Sequence, residues 1–257
     1  MCCLKEPVII RPALLVLIEV DLSTQQQIKV FATKPHPCSY LSDRDATTLF
    51  IDPNVSITKE LYSRLSELGF RRSGEHVYKP QCESCQACVA TRIPSTTFMA
   101  SKSQKRVLAK NKDVAISFTN TIEDNEYYRL YQSYITEQHS DGDMYPANRE
   151  QYDSFLNCHW DSSTYMTFRL NGKLIAVAVT DLMQDAMSAI YTFYDPALAS
   201  RSLGTFCVLS QIQHAQLHGW PHLYLGYWIK QSPKMAYKTK FRPIEVLKQG
   251  QWQPYTP

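Results

Sequence analysis

Four cysteines set the tightest limit on what this chain can become. Cys38 stands in Thr33-Lys34-Pro35-His36-Pro37-Cys38-Ser39-Tyr40-Leu41, and Cys82, Cys85 and Cys88 follow as C-x-x-C-x-x-C. A three-residue step puts neighbouring thiols on one side of a tight turn, so a single metal ion or cluster can collect all four. Four thiolates complement a structural zinc or an iron–sulfur cluster, and spacing does not choose between them. The plainer alternative is that two or three are small apolar core residues, since free cysteine is among the most buried residue types. Cys158 and Cys207, in helical contexts, read as core, and Cys2 and Cys3 as ordinary free thiols.

The chain has 257 residues, enough for one large domain or two small ones to bury a core without covalent staples. Charged residues make up 20% and hydrophobic residues 44%, a globular composition that excludes a disordered chain. A net charge of +3 is too weak to imply nucleic acid, so the placing of Lys and Arg must decide that question. The longest uncharged run of the apolar N-terminal region, Pro12 to Ile18, falls far short of the roughly 20 residues that a membrane span requires. Glu19 and Asp21 close it without a small-residue cleavage site. Neither a span nor a signal peptide is expected, and the cysteines are read as reduced, in the cytoplasm.

Residues 1–27 read as a peripheral leader, and a cysteine-bearing N-terminal domain is expected over 28–120. Within it Thr58 caps a helix with Leu61, Leu65 and Leu68 as its buried stripe and Gly69 as its stop. Phe70–Lys79 reads as two extended pieces turning at Ser73-Gly74, which deliver the three clustered cysteines on a loop. Ser101 and Gln104 make a capping box for a helix on which Lys102, Arg106 and Lys110 share a face. That basic stripe suits phosphates or plain solvent. A second domain is expected over 121–257. It opens with a helix from Glu123 to Gln138 carrying Tyr127, Tyr131 and Tyr134 as core aromatics. Asn171-Gly172 joins Tyr165–Leu170 to Leu174–Val179 as a type I′ hairpin. Met187–Phe193 is a third strand, a helix runs from near Thr205 to Gly219, and His222–Tyr227 is a further strand.

Tyr194-Asp195-Pro196, the loop Arg201-Ser202-Leu203-Gly204-Thr205 and the helix after it resemble the core of an N-acetyltransferase-like (GNAT-like) fold. In that fold two central strands part around an acyl donor. Its coenzyme A users carry a longer glycine-rich loop that cradles pyrophosphate at the helix N-terminus. Here only Gly204 is present, which argues against coenzyme A and leaves room for a tRNA acceptor end. The expected class is α+β, a GNAT-like mixed sheet flanked by helices with a smaller cysteine-bearing N-terminal domain.

Longer runs add to this. They are Phe31-Ala32-Thr33-x-Pro35-His36-Pro37-Cys38-x-Tyr40-Leu41, Ala46-Thr47-Thr48-Leu49-Phe50, Gly69-Phe70-Arg71-Arg72-Ser73-Gly74 and Tyr78-x-Pro80-x-Cys82-x-x-Cys85-x-Ala87-Cys88-x-x-x-Arg92. Phe193-Tyr194-Asp195-Pro196, Ser202-Leu203-Gly204 and Leu225-Gly226-Tyr227-Trp228-Ile229 complete the set. From about Ile28 to about Leu247 the chain resembles the bacterial aspartate/glutamate leucyltransferases, the branch related to eukaryotic arginyl-tRNA–protein transferase. The resemblance implies cytoplasmic transfer of leucine from leucyl-tRNA to the α-amine of proteins beginning with Asp or Glu. Such proteins are thereby marked for degradation through the N-end rule. The eukaryotic relatives carry a C-x-x-C near the first cysteine and an adjacent pair later. Here Leu41 takes the fourth place of the first motif, and Cys85 and Cys88 are separated.

An aminoacyl ester is already activated, so neither ATP nor coenzyme A is expected. Backbone N–H groups near Tyr191 and Tyr194 are expected to polarise the ester carbonyl. Asp181, at the end of a central strand, reads as an orienter of the amine or as a turn residue. An acidic first residue calls for a cation, and Arg71, Arg72 and Arg92 are the candidates, each against a surface salt bridge. For the tRNA the candidates are Lys102, Arg106, Lys110, Gly204, Lys230, Lys234, Lys238 and Lys240. Tyr227, Trp228 and Tyr237 interleave the last lysines, either as stacking platforms for a single-stranded end or as core. Two competing readings are an arginyl transferase of the same fold and a metal-stapled RNA-binding module without catalysis.

Overall fold

The computed structural model describes residues 15–18, 28–142 and 144–256. The leader expected over 1–27 therefore lies outside the described residues, except for a strand, β1 (Leu15–Ile18), that pairs with β2 (Ile28–Ala32). A five-stranded antiparallel sheet follows in the order β1-β2-β5-β7-β6, with β5 at Thr48–Ile51, β6 at Arg71–Ser73 and β7 at His76–Pro80. The short bridges β3 (His36–Pro37) and β4 (Asp45–Ala46) pair beside it. Helix α1 (Lys59–Glu67) starts as expected, because the Thr58 hydroxyl accepts from the Leu61 N–H at 3.2 Å. The chain then leaves through Gly69 at φ +87°.

An eight-stranded mixed sheet is built in the order β15-β14-β8-β13-β12-β11-β10-β9. Its strands are β8 (Val89–Pro94), β9 (Val114–Thr119), β10 (Ser163–Leu170), β11 (Lys173–Leu182), β12 (Ala186–Tyr194), β13 (His222–Trp228), β14 (Glu245–Lys248) and β15 (Gln251–Pro254). The expected boundary between residues 120 and 121 cuts through this sheet, since β8 and β9 come from before it. The β10–β11 turn has Asn171 at φ 50° and Gly172 at φ 83°, the left-handed pair that a type I′ turn demands.

Helices cover both faces of this sheet. On one, α5 (Leu203–Leu217) sets Phe206, Leu209 and Ile212 against Phe168, Ala178 and Met187, with α2 (Lys102–Lys110) packed beside it. On the other, α3 (Asn125–Gln138) and α4 (Arg149–Leu156) set Tyr131, Ile135 and Tyr152 against Val177, Val179 and Phe193. Burial on both faces explains why Leu174 to Asp181 of β11 is a continuous buried run rather than an alternating one. Each large side chain buried there contributes roughly 1.5–3 kcal/mol. Cys207 is in this core on α5, as expected, whereas Cys158 is buried just beyond the end of α4 and not within a helix. Helix α4 and strands β14 and β15 are elements that the sequence pattern does not announce.

Candidate active site

The large sheet opens between β12 and β13, its one parallel pair among the described strands. Pairing covers only Ala186–Ser188 against His222–Tyr224, yet the strands run on to Tyr194 and Trp228. Each strand carries a bulge at the point of parting. Ile190 has no partner position on β11, and Leu225 has none on β8. An extra residue bends and twists its strand, so two bulges side by side turn a sheet into a fork. Asp195 N–H donates to the Ile175 carbonyl at 2.8 Å, which fixes the alternation along β12. Tyr191 and Phe193 therefore turn their backbone groups to β11, and the N–H groups of Thr192 and Tyr194 face the gap.

Arg71, arriving from β6, fills the apex of the fork. One terminal nitrogen donates to Ser188 Oγ at 2.6 Å, on the last residue of β12 paired with β13, and the other to the Ala189 carbonyl at 2.7 Å, which the parting leaves without a partner on β13. Its guanidinium lies across Gly226, where an added Cβ would come within 2.7 Å of Nε. Gly226 is also at φ +75°, so glycine is required there for two reasons. Lys238 enters next to it, buried, donating its Nζ hydrogen to the Tyr227 carbonyl. Burial, with the nearby Arg71 charge added, pushes this lysine down to about 7. Tyr134 of α3 packs on the Tyr194 ring at 4.8 Å between centroids, and Tyr237, 45% exposed, lies at the rim. Gly204, in the first turn of α5, is the floor under Tyr194, since a Cβ would lie 3.2 Å from that ring.

Two family models match the chain, "Arginine-tRNA-protein transferase, N terminus" over residues 36–106 and "Arginine-tRNA-protein transferase, C terminus" over residues 126–248. An aspartate/glutamate leucyltransferase of Saccharophagus degradans is 51% identical over 88% of this chain and 96% of its own. One of Marinobacter nauticus is 51% identical over 90% of this chain and 98% of its own. The chain belongs to the arginine-tRNA-protein transferase family, on its aspartate/glutamate leucyltransferase branch. Among solved structures, FemX aligns at 8% identity with a TM-score of 0.45, over 76% of this chain and 68% of that one, too remote to bear on the chemistry.

Within this leucyltransferase branch the fork sorts the residues expected from sequence. Arg72 and Asp181 are withdrawn from it. The Asp181 carboxylate accepts from Arg72 at 2.6 and 2.7 Å, from the Tyr62 hydroxyl at 2.9 Å and from Ser163 Oγ at 3.1 Å, and both charged side chains are fully buried. Burial alone would lower the Arg72 guanidinium, but the Asp181 carboxylate more than offsets it and raises it above its ordinary value. A carboxylate with four donors already on it has no place for a substrate amine, so Asp181 is structural. Arg92 is likewise committed, to Glu245 at 2.7 Å and to the face of Trp252 at 4.4 Å. Of the three candidate arginines, only Arg71 has no carboxylate partner among the described residues.

The surface cations divide in the same way. Lys102, Arg106 and Lys230 are exposed, whereas Lys110, also exposed, donates to the Ser200 carbonyl at 2.7 Å and Lys234 pairs with Asp141 at 3.0 Å. Gln104 donates to the Lys240 carbonyl at 3.1 Å, which ties the buried side of α2, opposite its basic face, to the lysine-bearing segment 230–240. Trp228 is corrected from stacking platform to core, because it packs with Ile229, Met235 and the Tyr255 ring at 4.9 Å. Lys238 is corrected from phosphate contact to buried cation. A signal was present, since Lys238 stands three residues from both Met235 and Phe241, and one turn of 3₁₀ helix puts all three on the buried side.

The cysteine loop does follow β7 as expected. The four thiols, however, are not gathered, since among the described residues no three His, Cys, Asp or Glu side chains are placed to hold a metal ion. Arg44 donates to Cys85 Sγ at 3.4 Å and Cys82 Sγ to the Thr47 carbonyl at 3.9 Å. A backbone contact within the loop and the Arg44 guanidinium hold the Cys85 thiol below its usual range. A guanidinium beside that sulfur does not fit a zinc or iron–sulfur site, which would need the same lone pairs for its own cation.

Proposed function

We propose that this chain transfers leucine from leucyl-tRNA to the α-amine of cytoplasmic proteins beginning with Asp or Glu, marking them for degradation by the N-end rule. The observation that carries this reading is a cation without a counter-charge among the described residues, Arg71, at the apex of a fork whose Thr192 and Tyr194 N–H groups face an acyl-donor position. The fork also supports a GNAT-like description of the sheet.

The chemistry asked of such a site is modest. The amine nitrogen attacks the ester carbonyl carbon, a C–N bond forms and the ester C–O bond breaks. The amine's proton ends on the departing 3′ oxygen of the tRNA. An α-amine with a pKa near 8 is about a tenth neutral at pH 7, a handicap of roughly 1.4 kcal/mol. Holding amine and ester together contributes about 7–11 kcal/mol, so placement dominates. Thr192 and Tyr194 N–H supply donors for the developing oxyanion. Arg71 holds the acidic side chain, and the exposed face of Lys102, Arg106 and Lys110 takes tRNA phosphates. The donor ester supplies its own activation, leaving ATP and coenzyme A without a role.

The deciding experiment offers labelled leucyl-tRNA and arginyl-tRNA, side by side, to peptides beginning with Asp, Glu or Asn. Label passes from leucyl-tRNA to the first two only. Transfer from arginyl-tRNA instead, or tRNA binding with no transfer, overturns the assignment.

A further inference from the structure

Arg71 and Lys238 reach the same short stretch of β13, one lying across Gly226 and the other bonded to the Tyr227 carbonyl. Both are buried, at 8% exposure each, and neither forms an ion pair among the described residues. Withdrawing one charge from water without a partner is costly, and two like charges withdrawn together cost more. Among the described residues the other buried cation, Arg72, is neutralised by Asp181, and the half-buried Arg92 is paired with Glu245. The exception falls at the apex of the fork, where a missing negative charge is what an incoming ligand can supply.

Donor capacity agrees. Arg71 uses two of its five N–H groups on Ser188 and Ala189, and Lys238 uses one of three on Tyr227. The rest are spare hydrogens on two cations along one edge of the fork, which suits a ligand with two oxygens sharing one charge.

We propose that Lys238 and Arg71 together form the seat for the side-chain carboxylate of the acceptor's first residue, Lys238 being a specificity-determining contact of the reaction. The proposal rests on the leucyl-transfer reading given above. It has a consequence that Arg71 alone would not have. Lys238, whose pKa burial and the Arg71 charge lower to about 7, must be protonated to grip a carboxylate, so acceptor binding takes up a proton. Acceptor affinity is then full at lower pH and lost as pH rises past about 7. The groups facing Lys238 are Arg71 from β6, Tyr227 from β13 and Tyr237 from its own turn, with Tyr134 of α3 beyond Tyr237. None of these changes charge between pH 6 and 8 in the direction required, since burial raises Tyr134 well above its ordinary value. His139 of α3 titrates lower still than a free histidine and lies against Lys234 and Asp141, so its effect persists in any variant of Lys238.

The test is steady-state leucyl transfer by the full chain at saturating leucyl-tRNA, with an Asp-initiated peptide varied from pH 6 to 8.5. Because the acceptor's own α-amine, with a pKa near 8, becomes neutral over the same range, acceptor KM is expressed as the concentration of peptide with a neutral amine, and so expressed it should rise on the order of tenfold between pH 7 and 8.5 in the wild type. In Lys238→Arg, whose charge is permanent, that rise should disappear. In Lys238→Met, acceptor KM should be on the order of tenfold higher at pH 6.5, with the KM for leucyl-tRNA unchanged. Active transfer with a flat wild-type profile, or a Lys238→Met enzyme with unaltered acceptor KM, overturns this inference and leaves the leucyl-transfer reading standing. Absence of any transfer by the wild type overturns both. Should neither variant fold, the wild-type profile alone decides.

Discussion

Replacing Asp181 by Asn separates a structural from a catalytic role. The native carboxylate accepts two bonds from Arg72, at 2.6 and 2.7 Å, with Tyr62 at 2.9 Å and Ser163 at 3.1 Å completing its shell. In the variant the Arg72 charge is left with the Gly74 carbonyl at 3.1 Å and Ser163 Oγ at 3.0 Å, both neutral. Breaking a fully buried pair from one side costs about 3–5 kcal/mol. For a chain of this size 1 kcal/mol corresponds to roughly 2–4 °C in Tm, so a fall of about 6–20 °C is expected. Because this cluster joins α1 and β6 to β10 and β11, the five-stranded sheet should loosen from the large one in the same step. The assay is thermal unfolding followed by circular dichroism, with leucyl transfer measured on the folded variant well below its melt. The double variant Arg72→Met with Asp181→Leu should recover much of the lost Tm, since removing both charges leaves neither unpaired. A wild-type melt combined with a large fall in kcat would refute this reasoning and return Asp181 to the chemistry.

Gly226→Ala should raise the KM for the acceptor peptide and leave that for leucyl-tRNA alone. Its Cβ would be 2.7 Å from Arg71 Nε and 2.9 Å from the terminal Nη2, so the guanidinium must leave the fork, and a left-handed φ of +75° adds about 1–2 kcal/mol of strain. Unchanged acceptor kinetics in a folded Gly226→Ala protein would count against that placement of Arg71. Exchanging Lys102 and Arg106 together for Ala should weaken leucyl-tRNA binding at every salt concentration. The slope of log K against log salt should become shallower by about 0.7–0.9 for each phosphate that is no longer neutralised, read from binding titrations. A slope equal to wild type would place the tRNA elsewhere.

Much of the local structure was legible. The Thr58 cap, the Ser101–Gln104 capping box and the Asn171-Gly172 turn depend on residues within a few positions of one another, and all three formed. The motif around Leu225-Gly226-Tyr227 pointed to the right strand without saying why it contains a glycine. The bulges at Ile190 and Leu225 that open the fork left no mark in the apolar pattern, because β12 and β13 are covered on both faces and do not alternate cleanly.

The roles of the charged side chains were beyond the sequence. Arg71 and Arg72 are adjacent, identical in type, and sit on opposite faces of one short strand. Arg72 meets Asp181, 109 positions away, and is neutralised, whereas Arg71 meets Ser188 and Ala189, 117 and 118 positions away, and has no counter-charge among the described residues. The chain's own order of residues determined its helices, turns and family. Which cation is neutralised and which is left without a counter-charge was decided only when distant strands came together, because a charge is defined by the counter-charge within reach and by the water it has lost.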